Sequence, residues 1–349
     1  MRKIQIRATL EAKELALNQG VGMSAIKVAI NGFDRIGRSA FKIAQGRSDI
    51  HVVAIRSEYD INTTAYLLKH DSVYGNYARA VKSEDGYIAV GESRIDVVSH
   101  LQSVKKSWQG RAVDVVIDTT NTDPARLKEH IAAGAKQVVA MSTADTIETI
   151  VMGVNDDSIG SISSVVSAGE PGTVAIAPVL AVLEQAFAPK KSALTVIDGG
   201  SPVDDTLRTK RTQQQNIIPA PFVGLVPSRQ ALGQQTLDGL SIHTPVANVG
   251  LAVITAVLGA PTTVAIVNQV FERAAKEPFY QGIINTTNKP LVSFDLRGSS
   301  YSVTVDTQLT RVVSGDLVQL AVWFDSEWGY ANRLVELSVD AGRVARNRA

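Results

Sequence analysis

Val28 to Arg38 read Val-Ala-Ile-Asn-Gly-Phe-Asp-Arg-Ile-Gly-Arg, so two glycines, Gly32 and Gly37, bracket a carboxylate, Asp34. Glycines at this spacing after an apolar run suit a loop that cradles a diphosphate. In Gly-x-Gly-x-x-Gly the first makes the tight turn, the second admits the diphosphate to the backbone, and the third lets helix and strand pack closely. Gly32 and Gly37 keep the first and third roles, while Asp34 stands at the second. A carboxylate there sits where the diphosphate must sit, at a helix N-terminus that attracts either anion. At an effective dielectric near 20, like charges about 5 Å apart repel by roughly 3 kcal/mol. Arg35 and Arg38 offset part of that repulsion. Asp34 is therefore expected both to cap the helix, a role worth about 1 kcal/mol, and to block the cradle.

The loop Asn31, Gly32, Phe33, Asp34, Arg35, Ile36 and Gly37 is thus read as a weakened or lost cofactor cradle. About twenty residues on, a carboxylate should meet the ribose hydroxyls, but the strand from His51 to Ile55 delivers Arg56 and Ser57. An arginine beside a small residue suits a 2′-phosphate, which favours NADP over NAD. The alternative reading is a solvated charge at a strand end, with Glu58 or Asp60 reaching the ribose. No cysteine occurs and the five histidines are scattered, which excludes disulfides, thiolate metal sites and a cysteine nucleophile.

The elements that must carry this loop are legible from periodicity. Strand and helix patterns alternate through the first half: a strand from Ile26 to Ile30, a helix from Arg35 to Ala44, a strand from Ile50 to Ile55 and a helix through Thr64 to His70. Val113–Asp118, Lys136–Met141 and Ile150–Asn155 read as further strands, with a helix from Pro124 to Ala133. A helix from Pro178 to Phe187 precedes a different grammar. Leu194–Val196, Leu240–His243, Gly250–Val257, Leu291–Phe294, Tyr301–Val305 and Leu317–Phe324 suggest a predominantly antiparallel sheet, with a helix from Thr262 to Lys276 packed on it. Gly329 to Val344 reads as a last helix. The predicted class is α/β: a doubly wound parallel sheet followed by an α+β unit whose sheet is mixed and largely antiparallel. The boundaries read as an extension at 1–23, a dinucleotide-type domain at 24–170 completed by a helix at 329–349, and a second domain at 171–328.

The chain has 349 residues and a net charge of +1. That length supports two cores, and the balanced charge gives no reason to expect a nucleic-acid or membrane surface. No apolar run is long enough to span a bilayer. The extension has a short helical pattern from Ala8 to Asn18, no apolar secretory segment, and acidic residues that argue against a transit peptide. Met23, just before the first strand, leaves a second start site and an added arm equally open. A cytoplasmic location is expected.

From Ile26 to about Val344 the chain resembles glyceraldehyde-3-phosphate dehydrogenase. The residues that carry the resemblance are Asn31-Gly-Phe-Asp-Arg-Ile-Gly-Arg38, Tyr66-Leu-Leu-Lys-His-Asp-Ser-Val-Tyr-Gly75, Ala133-Gly-Ala-Lys-Gln-Val-Val139, Val151-Met-Gly-Val-Asn155, Asn216-Ile-Ile-Pro219 and Phe324-Asp-Ser-Glu-Trp-Gly-Tyr-Ala-Asn-Arg333. The resemblance implies a dinucleotide domain, a catalytic domain with a mixed sheet, and a C-terminal helix that returns to the first domain. It also implies oxidation of an aldehyde through a thioester on a cysteine activated by a histidine.

The positions matching that chemistry depart from it. Glu170-Pro-Gly-Thr-Val-Ala-Ile-Ala-Pro178 aligns with the nucleophile motif, and Pro171 replaces the cysteine, removing both a nucleophile and a backbone donor. The base motif, Thr-Val-His, matches Thr195-Val196-Ile197, so Ile197 stands at the base position. Ala220-Pro-Phe-Val223 replaces a hydroxyl-rich phosphate stretch, and His243 stands for a phosphate-binding arginine. Ser326 replaces the asparagine that orients the nicotinamide amide, and Met141-Ser-Thr-Ala144 replaces another stretch near the cofactor. The loop at 198–215 is shorter than the family's, which bears on the tetramer.

These departures imply a dehydrogenase-like protein without catalytic residues of the old kind, inactive in aldehyde oxidation, binding NAD or NADP weakly or not at all. Its expected role is binding, regulation or assembly, as a homo-oligomer (dimer or tetramer) or with an active paralogue. Two alternatives stay open. One is a diverged NAD(P)-dependent oxidoreductase without a covalent intermediate, for which Glu170, Asp198 and His243 are the candidate acids and bases. The other is a cofactor-free binding module.

Overall fold

A strand buried on both faces needs apolar residues on both, and Ile26–Asn31 (β1) meets that condition, with Val28, Ala29 and Ile30 out of contact with solvent. The computed structural model describes residues 24–120, 123–199, 215–233 and 236–348. The helical pattern expected from Ala8 to Asn18 and the loop at 200–214 lie outside the described residues.

β1 pairs in parallel with β2 (Ile50–Ser57) on one side and, across the chain's first long jump, with β6 (Val115–Asp118) on the other. Strand β7 (Gln137–Ala140) and then β8 (Val165–Ser167) extend the parallel run beyond β6. At the opposite edge the hairpin strands β3 (Val81–Glu84) and β4 (Tyr87–Val90) lead to β5 (Ser93–Ser99), giving the order β3-β4-β5-β2-β1-β6-β7-β8. The connecting helices are α1 (Arg35–Ala44), α2 (Ile61–Lys69), α3 (Val104–Trp108) and α4 (Pro124–Ala132). Strand order reverses between β1 and β6, and the crevice beyond their C-terminal ends is where such sheets bind ligands.

The second sheet is built from β9 (Lys191–Asp198), β10 (Ile218–Pro221), β11 (Leu237–His243), β12 (Val249–Val257), β13 (Ile284–Thr287), β14 (Val303–Asp306), β15 (Arg311–Val313) and β16 (Leu317–Asp325). Its order is β10-β11-β9-β12-β16-β14-β13, with β15 also on β16. The β9–β11 and β13–β14 pairs are parallel and the remaining pairs antiparallel, so the expected mixed, largely antiparallel sheet is found. Helix α5 (Pro171–Phe187) packs on β16, and α7 (Val264–Ala274) on β13. The short α6 (Leu225–Leu232) lies on α5. Along β12, Ala252, Ile254 and Ala256 face this packed side, while Leu251, Val253, Thr255 and Val257 alternate onto a face left half-buried. Ile197, Leu251 and Trp323 stand in register across that second face.

The last helix, α8 (Trp328–Asn347), returns to the first sheet, packing on α1, β6 and β7. Arg346 donates to Asp114 (3.0 Å from Nε) and to the Ala25 carbonyl (2.7 Å), clamping the helix end to the start of β1. Gly342 permits the close approach: a Cβ there would lie 2.6 Å from Ile26 Cγ2 and 2.9 Å from Val115 Cγ2. Gly342→Val is therefore expected to destabilise by about 2 kcal/mol through overpacking, measured as a lower urea midpoint with unchanged slope.

Three expectations change. Ile150–Asn155 is not a strand. Asn155 Oδ1 accepts from the Val151 N–H (2.8 Å) and its Nδ2 donates to the Thr149 carbonyl (2.8 Å), so a side-chain amide replaces a strand partner and the segment turns. Leu291–Phe294 likewise runs into a 3-10 turn at Ser293–Leu296, where Asp295 accepts from the Val292 N–H at 2.9 Å. The helix expected from Pro178 starts at Pro171, because Glu170 caps it and Pro171 suits its first turn; Pro178 lies inside it. Among the described residues no helix is long and apolar enough to cross a membrane.

Candidate functional site

A cleft of about 540 Å³ opens where the C-terminal ends of the two sheets meet. It gathers Asp34, Arg35 and Ile36 from the glycine loop with Glu170 and Pro171, Asp198, His243 and Ser326. Residues separated by nearly three hundred positions in sequence thus line one space.

Asp34 caps α1 as expected, accepting from the Gly37 N–H at 2.8 Å. The same oxygen accepts from Thr119 Oγ1 at 3.0 Å, so the carboxylate reaches from the glycine loop of β1 to the residue just after β6 and spans the switch-point crevice. Desolvation pushes its carboxyl upward from the usual range; the Gly37 N–H, Thr119 and the Arg38 charge pull the other way. Gly32 has φ +96°, which favours glycine, and a Cβ there would meet Thr119 Oγ1 at 2.6 Å. Arg35 does not serve Asp34: its guanidinium grips Glu327 with both nitrogens, Nη2 to Oε2 at 3.0 Å, and so joins the start of α1 to the start of α8. Arg38 donates to the Phe33 carbonyl at 2.8 Å. Phe33 is buried edge-on against Phe41 and belongs to the core.

At the C-terminal end of β2, Arg56 is occupied by the chain itself. Nη1 donates to Asn31 Oδ1 at 3.0 Å, and Nη2 to the carbonyls of His100 (2.5 Å) and Gln102 (3.1 Å). Asn31 in turn donates to Asp118 at 2.7 Å. Trp108 Nε1 donates to His130 Nδ1 at 2.8 Å, which leaves the ring's proton on Nε2 to reach Asp118 at 3.1 Å. These hydrogen bonds outweigh burial and hold the Asp118 carboxyl below its usual range. Ser57, fully buried, takes the Thr64 hydroxyl at 3.0 Å and the Tyr59 N–H at 3.1 Å. Neither Arg56 nor Ser57 lines the cleft.

At the opposite wall Pro171 opens α5 and Glu170 Oε1 accepts the Thr173 N–H at 2.7 Å. The helix N-terminus that could stabilise an oxyanion holds a carboxylate of the chain instead. Burial, reinforced by the Asp198 charge, pushes the Glu170 carboxyl up to about 7. Phe222 packs behind it; a Cβ on Gly172 would meet its ring at 2.8 Å, so an aromatic wall stands on this side of the cleft, where residues 220–223 have no hydroxyl.

Ile197, expected at the base position, does not line the cleft. Side chains alternate along β9, so Ile197 falls on the half-buried second face with Thr195, and its neighbour Asp198 is the one that lines the cleft. Parallel pairing sets Asp198 opposite His243, and Asp198 Oδ1 lies 2.6 Å from His243 Nδ1. Ser326 Oγ donates to the Asn248 carbonyl at 2.5 Å. Asp325 holds it there by accepting the Trp328 N–H at 2.8 Å and the Tyr74 hydroxyl at 2.7 Å. Thr119 lies in none of the motifs, and Glu327 lies in the Phe324–Arg333 stretch with no role legible there; both act across elements distant in sequence.

Comparison with known proteins agrees with this architecture. Residues 26–123 match the family described as the glyceraldehyde 3-phosphate dehydrogenase NAD binding domain, and residues 172–326 its C-terminal domain. The chain is 35% identical over 333 residues to "Glyceraldehyde-3-phosphate dehydrogenase" of Streptomyces coelicolor, covering 91% of this chain and 98% of that protein. It is 34% identical over 331 residues to "Glyceraldehyde-3-phosphate dehydrogenase 1" of Bacillus subtilis, covering 90% and 97%. The protein of that activity from Borreliella burgdorferi is 35% identical over 336 residues, covering 90% and 98%.

Proposed function

The chain belongs to the glyceraldehyde 3-phosphate dehydrogenase family, and from that premise we propose that it keeps the family frame without aldehyde oxidation, serving in binding, regulation or assembly. What supports the reading is the start of α5: Pro171, which we align with the family's nucleophile, opens the helix, and the Glu170 carboxylate accepts from the Thr173 N–H. No thiol occurs anywhere in the chain to replace it. A thioester cannot form without a nucleophile that also leaves, and a negative oxyanion is disfavoured beside a carboxylate.

The residues present do not fit a dinucleotide in the usual pose. Asp34 takes the N–H and the crevice that a diphosphate needs, and Arg56 is spent on backbone carbonyls. At the two helix N-termini where a diphosphate and an oxyanion would lie, the chain has its own carboxylates Asp34 and Glu170. We read residues 24–170 with 329–349 as one domain and 171–328 as the other, a division supported by the two sheets and by the Arg346 clamp. The half-buried face bearing Ile197, Leu251 and Trp323 supports assembly with a second copy or an active paralogue. The same reading keeps the protein in the cytoplasm, with neither nucleic acid nor membrane as partner.

In an assay of glyceraldehyde 3-phosphate with inorganic phosphate and either NAD or NADP, no reduced cofactor is expected above the uncatalysed rate. Turnover of 1 s⁻¹ or more, the lower end of ordinary enzyme rates at roughly 1–10³ s⁻¹, would sink the reading.

A further inference from the structure

We propose that the cleft is a proton-transfer site that works without nicotinamide, in which His243, oriented by Asp198, is the base and Glu170 the acid, acting on a short neutral α-hydroxy aldehyde or ketone. The proposal does not depend on the loss of aldehyde oxidation.

The three groups sit on rigid elements. Asp198 and His243 face each other on paired strands, with Oδ1 and Nδ1 2.6 Å apart. A carboxylate can only accept, so Nδ1 carries a proton, and the tautomer this selects has its lone pair on Nε2, as a base requires. Glu170 lines the same cleft with one oxygen pinned by the Thr173 N–H at 2.7 Å. Burial and the Asp198 charge push its carboxyl up to about 7, so near neutral pH it carries a proton much of the time. A carboxyl and an imidazole that face one cleft from opposite walls can give and take a proton in turn, which is what acid–base catalysis uses.

Charge selects the substrate class. Beside the Glu170 acid, the cleft presents Asp34, Asp198 and Glu327 against Arg35 and His243, and both of these are already paired with carboxylates. A phosphorylated compound meets repulsion there. A neutral polyol finds acceptors in the carboxylates and in the Ser326 hydroxyl oxygen and a donor in Ser241, while Met141, Pro221 and Phe222 provide an apolar wall.

The step balances without an oxidant. Nε2 of His243 takes the proton from the carbon that bears the hydroxyl, and that C–H electron pair forms a carbon–carbon double bond. The carbonyl π pair moves to oxygen, which takes the Glu170 proton, giving an enediol. The Glu170 carboxylate then removes the proton of the original hydroxyl, that oxygen becomes the new carbonyl, and the imidazolium protonates the neighbouring carbon. Aldehyde and ketone interconvert, and both side chains return to their first state.

The test is proton NMR of dihydroxyacetone with the full chain in deuterated buffer near neutral pD, with no nicotinamide added. Loss of C–H signal and appearance of glyceraldehyde are expected at least ~100-fold faster than in buffer, the lower end of general acid–base effects. His243→Ala should fall to within a few-fold of buffer and recover on addition of imidazole. Asp198→Asn, at a positioning residue, should lower kcat with little change in KM, and Glu170→Gln should lower kcat at least ~10-fold. Exchange at the buffer rate with the intact protein overturns the proposal. So does a loss in His243→Ala that imidazole does not restore, since a structural role would behave that way.

Discussion

Asp34→Gly is expected to tighten NAD or NADP binding by roughly a hundredfold, the equivalent of about 3 kcal/mol. In the native chain the carboxylate holds the Gly37 N–H at 2.8 Å and the Thr119 hydroxyl at 3.0 Å, so an incoming diphosphate meets both a competing anion and occupied donors. Glycine frees both donors, and the only other change is a lost cap. That loss is small, since glycine at an N-cap costs a few tenths of a kcal/mol relative to aspartate. Titration calorimetry of both proteins with each cofactor measures the change directly. Equal affinities would show that Asp34 is a cap and nothing more. A melting shift of several degrees in the native protein at sub-millimolar cofactor would contradict the blockage from the other side.

Glu170→Gln is expected to stabilise the protein by up to about 3 kcal/mol at pH 8 and by almost nothing at pH 4. The folded carboxyl sits near 7 against an ordinary 4.5, so folding retains a proton that the unfolded chain releases. A group raised in this way carries no penalty below the unfolded value. Stability then declines as pH climbs from about 4.5 to 7 and levels off above, at about 1.4 kcal/mol per unit of difference. Glutamine keeps an acceptor for the Thr173 N–H and has no proton to lose. Chemical denaturation of both proteins across pH 4–9 reads the difference between them, in which the other titrating groups cancel. A difference independent of pH would mean that Glu170 titrates as an ordinary surface carboxylate.

Together the two substitutions separate the ends of the cleft. The first acts on ligand affinity through a helix N-terminus, the second on stability through a buried carboxyl. In both cases a side chain of the protein occupies a place where the fold could have bound an outside anion.

Much of this was legible in the chain. The glycine spacing around Asp34 identified α1 to the residue, because turn, cap and helical period coincide within a dozen positions. Buried strands such as β1 and β6 announced themselves as short apolar runs. Errors arose where a side chain stood in for backbone pairing, as Asn155 does at 149–155, or where Pro178 suggested a helix start that lies seven residues earlier. The hairpin β3–β4 was not separable from loop, its residues being largely exposed and mixed in polarity.

Sequence alone determined the family frame and the absence of a thiol, because local periodicity, motif spacing and residue identity are properties of neighbouring positions. It also singled out Glu170, Asp198 and His243 without showing that they meet. Tertiary structure decided that Asp198, not Ile197, turns into the cleft, since one residue along a strand reverses the face. It decided too that Arg35 is spent on Glu327 and that Asp34 reaches Thr119. Such pairings join residues dozens to hundreds of positions apart, and only the tertiary fold fixes which charges remain to meet a ligand.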